Sequence, residues 1–159
     1  MATQVSDYQI NENSAVPAAD RAKTVDAALL VLRLFLGVIF IAHGSQKLFG
    51  AFGGHGLTAT ISMFHDKMGI PLFFAYLAVF TEFFGGLAVF FGLLGRLASA
   101  GLIATMLVAL FKVHLSGGFF LPAGFEYAFA LIGMALTVLI AGPGRFSIAD
   151  IEGRLLKRK

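Results

Sequence analysis

Cysteine and tryptophan are both absent from the 159 residues, and charged side chains make up only 13% of them. Without cysteine there is no disulfide framework, thiolate metal site, covalently attached c-type haem, iron–sulfur cluster or intrinsic thiol chemistry, so any redox work uses a borrowed group. Without tryptophan, an aromatic belt at a lipid interface falls to the 18 Phe and three Tyr. An ordinary soluble domain is about 25% charged. This chain is 58% hydrophobic, and its mean hydropathy of +0.85 excludes a water-soluble globule and points to a membrane protein.

Residues 1–24 are polar, mixed in charge and interrupted by Pro17, a composition that reads as a flexible tail and not as a signal peptide. Four apolar stretches follow, 25–48, 71–95, 97–115 and 124–142. Each is near the ~20 residues that a helix needs to cross ~30 Å of hydrocarbon. Period-two alternation is missing and lipid satisfies no backbone polar group, so the expected fold is all-α, a bundle of four transmembrane helices. The expected organisation is a tail (1–24), a four-helix domain (25–145) and a basic tail (146–159). The turn at Gly95-Arg96 makes the second and third helices antiparallel neighbours, and Gly142-Pro143-Gly144 ends the fourth. Arg21, Lys23, Arg96, Arg145, Arg154, Lys157, Arg158 and Lys159 fall on one side, against Lys47, Lys67 and Lys112 on the other. The imbalance predicts that both termini are cytoplasmic. Ile148, Ile151, Leu155 and Leu156 share one side of a short basic helix that suits an anionic leaflet. No nucleic-acid partner is expected.

Two ionisable residues lie deep in the apolar stretches, Arg33 and Glu82. Counting ~1.5 Å per residue puts them at similar heights, which predicts an Arg33–Glu82 ion pair between the first two helices. Ala75, Ala78, Gly85 and Gly86 make the face of Glu82 small enough for close helix approach. The other polar residues gather at the outer side: His43 with Lys47, Lys112 with His114, and Glu126 with Tyr127. All four histidines, at positions 43, 55, 65 and 114, fall there.

Three readings of this cluster stay open. The groups snorkel into the headgroups. They line an outward-opening pocket for a quinone-like molecule, with His43 or Glu126 exchanging protons and Lys47 or Lys112 steadying an oxyanion. Or His43 and His114 hold a metal or b-type haem, without the tight spacing of a metal motif. Leu57, Ile61, Phe64 and Met68 describe a short amphipathic helix in the first outer loop, lidding the cluster. The nearby glycines, G-A-F-G-G-H-G, fit no nucleotide-binding loop. Gly101, Thr105 and Ala109 form a small-residue ridge on the third helix, suited to internal packing.

The motifs RLFLGVIFIAHGSQKLFGAFGGHGL (33–57), TEFFGGLAVFFGLLGRLAS (81–99), KVHLSGGFF (112–120), EYA (126–128) and GPGRFSIAD (142–150) resemble the DoxX family of bacterial inner-membrane proteins. The resemblance spans about 25–150. It implies a four-helix inner-membrane protein described as an oxidoreductase and related to the quinone-reducing subunit of thiosulfate:quinone oxidoreductases. The family's recurring polar positions match Arg33, His43, Gly44, Lys47, Glu82, Gly86, Arg96, His114, Glu126, Gly144 and Arg145.

The resulting expectation is a membrane redox component that binds a quinone-like molecule near the outer half of the bundle and exchanges electrons with a partner. Glu82, His43, Lys47 and Arg33 are the candidate catalytic residues, and His114, Lys112, Glu126 and Tyr127 the candidate binding residues. The rival readings are a non-catalytic scaffold for soluble redox or detoxification enzymes, or a metal or small-solute handling protein, which at this length works as a homo-oligomer if at all.

Overall fold

The computed structural model describes residues 17–148. Every regular element among them is helical. Helix α1 (Ala18–Phe49, 32 residues) is followed by a short loop helix α2 (Gly56–Ser62) that runs on into a π-helical turn over Met63–Lys67. Three further helices complete the fold, α3 (Leu72–Phe91), α4 (Gly95–Gly117) and α5 (Glu126–Ala141). Helices α1, α3 and α4 are long and apolar enough to cross a membrane, while α5 is a shorter apolar helix.

Helix α1 starts well before the apolar run at residue 25. Ala18 and Ala19 favour helix, Pro17 precedes the first turn, and Asp20 pairs with Lys23 at 3.1 Å one turn on. Residues 18–24, expected in a flexible tail, are therefore helical, because local propensity acts without apolar burial. The remainder of that tail, and the basic segment carrying Ile151, Leu155 and Leu156, lie outside the described residues.

Helix α1 packs along α3, α3 along α4, α4 along α5, and α5 returns to α1, closing a four-helix ring. Leu36 and Phe40 of α1, Val89 of α3, Leu102, Met106 and Leu110 of α4, and Leu131, Ala135 and Val138 of α5 form its buried core. Glycines bring α1 and α3 together: a Cβ on Gly44 would sit 2.6 Å from the Phe83 backbone, and one on Gly86 2.9 Å from the backbone of Ile41. Close approach at the face of Glu82 was legible in its small neighbours.

The ends of the bundle differ. One end, the base, is sealed by backbone. The turn between α3 and α4 falls at Gly92–Leu94 and not at Gly95-Arg96. Gly92 adopts a left-handed cap (φ 74°) while the sequence around it stays apolar, so hydropathy does not mark the stop. Gly142-Pro143-Gly144 ends α5 as expected and folds the chain beneath the bundle. There the Arg145 N–H donates to Asp26 Oδ1 and the Ile148 N–H to the Phe91 carbonyl, each at 3.0 Å.

The opposite end, the mouth, carries α2 and the loop ends of α4 and α5. Ile61 of α2 packs with Ala75 and Val79 of α3, with Leu48, Leu57, Phe64 and Ile70 around them. The amphipathic loop helix thus forms and lies against α3.

Candidate functional site

Glu82 sits in a π-helical turn, Thr81–Gly85, in the middle of α3 and is only 3% exposed. Such widened turns recur at functional positions. Its carboxylate is ion-paired with Lys47 of α1, whose side chain is 25% exposed. The expected partner, Arg33, lies at the base. Its guanidinium, 1% exposed, donates to the carbonyl of Pro143, to that of Phe146 at 3.0 Å and to that of Phe90 at 3.5 Å.

The Arg33–Glu82 pair is therefore replaced by two separate arrangements, for a geometric reason. Helical side chains lean toward the N-terminus of their own helix. Helices α1 and α3 are antiparallel, so Arg33 leans to the base and Glu82 to the mouth, away from each other. Lys47, farther along α1, leans down onto Glu82.

The pair lies on the wall of a cavity of about 570 Å³ in the mouth half of the bundle. From α1 come Phe40, His43 and Lys47; from α5, Tyr127, Ala128 and Leu131; from α4, Gly101, Ala104, Thr105, Val108, Ala109, Val113 and His114. Helix α3 supplies Phe74, Leu77, Ala78, Thr81 and Glu82, and the loop helix region covers the space with Met63, Phe64, Met68 and Ile70. The Tyr127 hydroxyl lies 3.4 Å from His43 Nε2. Five expected site residues, Glu82, Lys47, His43, Tyr127 and His114, thus line one cavity.

The other three do not join them. Arg33 closes the base. Lys112 is exposed and points off the cavity because α4 ends in a π-helical turn, Leu110–His114. In a regular α-helix Lys112 would share a face with Val108 and Ala109; the wider turn brings Val113 and His114 round in its place. Glu126 Oε1 accepts the Leu121 N–H at 2.8 Å and pins the loop ahead of α5. The two loop histidines are exposed, and His65 Nδ1 donates to the Ile70 carbonyl at 3.0 Å.

Thr81 and Thr105 line the cavity and were not anticipated. The signal for Thr105 was present in the Gly101, Thr105, Ala109 ridge, which leaves the cavity open where larger side chains would fill it. Among the described residues no three His, Asp or Glu side chains cluster as a metal site requires.

A helical membrane bundle with a large apolar cavity and one buried ion pair on its wall is the class of protein this fold defines. The DoxX family profile matches residues 28–115, and the chain belongs to the DoxX family. It is 35% identical over 117 residues to "Putative oxidoreductase CatD" of Bacillus subtilis (strain 168), covering 72% of this chain and 82% of the relative. It is 34% identical over 141 residues to "Inner membrane protein YqjF" of Escherichia coli (strain K12), covering 86% of this chain and 98% of the relative. No solved structure matches it.

Proposed function

We propose that this protein is a redox component of the bacterial inner membrane that binds a quinone-like molecule in the mouth-half cavity and exchanges electrons with a partner. The observation that carries the reading is the cavity itself. At about 570 Å³ it is the size of a small-molecule site, mostly apolar, with a few convergent polar groups. A quinone head needs hydrogen-bond donors at its oxygens, and the wall offers the Lys47 ammonium, the Tyr127 hydroxyl, His43 and the Thr81 hydroxyl, while the Thr105 hydroxyl donates to the Gly101 carbonyl.

The quinone supplies the electron chemistry, which no side chain of this cysteine-free chain provides. Lys47 holds negative charge developing on a ring oxygen. Glu82 holds that ammonium in place through their ion pair and is the carboxylate positioned to exchange a proton with the ligand. The name of the Bacillus relative, an oxidoreductase, supports a redox role. The name of the Escherichia relative supports the inner membrane. The basic residues gathered on the base side support a topology with both termini cytoplasmic and the mouth facing outward.

The test is to purify the protein in mild detergent from its own membranes and identify what stays bound by mass spectrometry and visible absorption. A quinone in stoichiometric amount, depleted in Glu82→Gln, is the expected result. A haem spectrum, or only co-purifying soluble enzymes, would overturn the reading in favour of a haem protein or a scaffold.

A further inference from the structure

The cavity is a cleft and not a closed chamber, and its open side can be located. Helices α3 and α4 touch mainly along Thr81–Phe91 of α3; toward the mouth, above that stretch, they part. Two stripes of helical period face each other across the gap: Phe74, Leu77, Ala78 and Thr81 on α3, and Gly101, Ala104, Thr105, Val108 and Ala109 on α4.

Within each stripe one edge is turned outward. Phe74 and Leu77 are 56% and 48% exposed and Val108 is 44% exposed, although all three line the cavity. Ala104 beside them is exposed as well. The inner edges, Ala78, Thr81, Gly101, Thr105 and Ala109, are partly covered. The outward edges belong to helices long and apolar enough to cross a membrane, so hydrocarbon lies outside them.

The polar groups of the walls are unevenly placed. Lys47, His43 and Tyr127 come from α1 and α5, across the ring from the α3/α4 gap, Glu82 of α3 is paired to Lys47, and His114 stands on α4 at the mouth end. Apart from Thr81 and Thr105 the gap itself is apolar, and small residues keep it wide at its lower end. A molecule seated here meets the buried Glu82 and the partly covered Lys47, with the exposed His43 and Tyr127 beside them, and apolar side chains at the α3/α4 gap.

We infer that the cavity opens sideways into the bilayer between α3 and α4, and that its ligand is a membrane-borne amphipath. Its polar head sits at Lys47, Glu82, His43 and Tyr127, and its long apolar tail leaves through the gap past Leu77, Ala104 and Val108. This rests on the quinone reading only for the nature of the head. A tail lying partly in lipid costs little to accommodate, because the gap is as apolar as the acyl chains outside it. Small water-soluble quinones or catechols, lacking a tail, are then poor ligands, and loading takes place from the membrane.

The experiment uses the full chain in lipid nanodiscs with two photoreactive probes. One is a dimethoxy-methyl-benzoquinone carrying a decyl tail tipped with a diazirine; the other has the same tail on a benzene ring without oxygens. Cross-linked residues are mapped by mass spectrometry. The quinone probe is expected to label the outward edges of α3 and α4, around Leu77, Ala104 and Val108. Ala104→Trp should plug the gap and cut labelling about tenfold, with Leu77→Trp as a second plug from the α3 side should the first fail to fold. Leu107→Trp, on the same helix and exposed but off the cavity, should leave labelling unchanged.

Labelling confined to the 50–56 loop, or unchanged by a folded plug, overturns the sideways opening while the quinone reading stands. Equal labelling of the α3/α4 edge by both probes supports the opening and removes the quinone head. No labelling by either probe overturns both.

Discussion

Helix α1 carries two cations into the bundle, Arg33 and Lys47, and their surroundings could hardly differ more. Arg33 is wrapped by the carbonyls of Phe90, Pro143 and Phe146 at the base and is 1% exposed. Lys47 meets a carboxylate at the edge of a cavity of about 570 Å³. A buried charge in a membrane helix is therefore not by itself a functional mark. Backbone carbonyls satisfy a planar guanidinium as a strut, because its forked donors reach several acceptors at once. An ammonium paired to a carboxylate beside open apolar space can serve a ligand.

The comparison predicts a separation between stability and binding. The largest stability effect should come from Arg33→Met, which leaves three base carbonyls without their donor and unties α1 from the end of α3 and the segment after α5. A loss of about 3 kcal/mol is expected, read as a lowered thermal midpoint in detergent. An unchanged midpoint together with lost ligand would break the comparison.

Glu82→Gln should cost less, about 2 kcal/mol, since Lys47 retains partial access to the cavity. It should abolish most ligand retention. Adding Lys47→Met to it should restore part of the lost stability without restoring the ligand, and the double-mutant cycle measures that coupling directly.

Thr105→Leu sharpens the comparison further. Filling the cavity should change stability by under about 1 kcal/mol, because the new side chain meets space and not packed atoms. Ligand retention should still fall about tenfold, as measured by mass spectrometry of the purified protein. The smallest effect is expected of Tyr127→Phe. Its hydroxyl sits at 3.4 Å from His43 Nε2, a long hydrogen bond whose loss should cost about 0.5 kcal/mol. A larger drop in ligand affinity than in stability would place that hydroxyl on the ligand itself.

Much of the site is legible in the order of the residues. The i,i+4 spacing of His43 and Lys47 puts them on one face, the small residues around Glu82 turn it inward, and the Leu57, Ile61, Phe64, Met68 spacing describes the helix that covers the cavity. Pairing is not legible in the same way. Counting residues gives height along a helix, and on that count Arg33 and Glu82 are close. Height omits the lean of side chains toward their own N-termini, which on antiparallel helices sends Arg33 and Glu82 in opposite directions. Lys112 departs from expectation for a related reason, since a single π-helical turn over Leu110–His114 rotates the face that regular spacing assigns. Glu126 has the position of a cavity residue and instead holds the Leu121 N–H, a local bond that spacing does not reveal.

By itself the sequence determined that this chain forms apolar helices belonging in a membrane, because low charge and long hydrophobic runs leave no other way to satisfy the backbone. It also determined that the polar residues collect toward one end, since their positions along each helix fix their height. Only the tertiary structure decided which charge meets which, that the small-residue ridge of α4 borders open space, and that the base is closed by the Gly142-Pro143-Gly144 segment folding under Arg33. Those outcomes depend on rotation about the helix axes and on the tilt between helices, two coordinates set by packing many side chains at once.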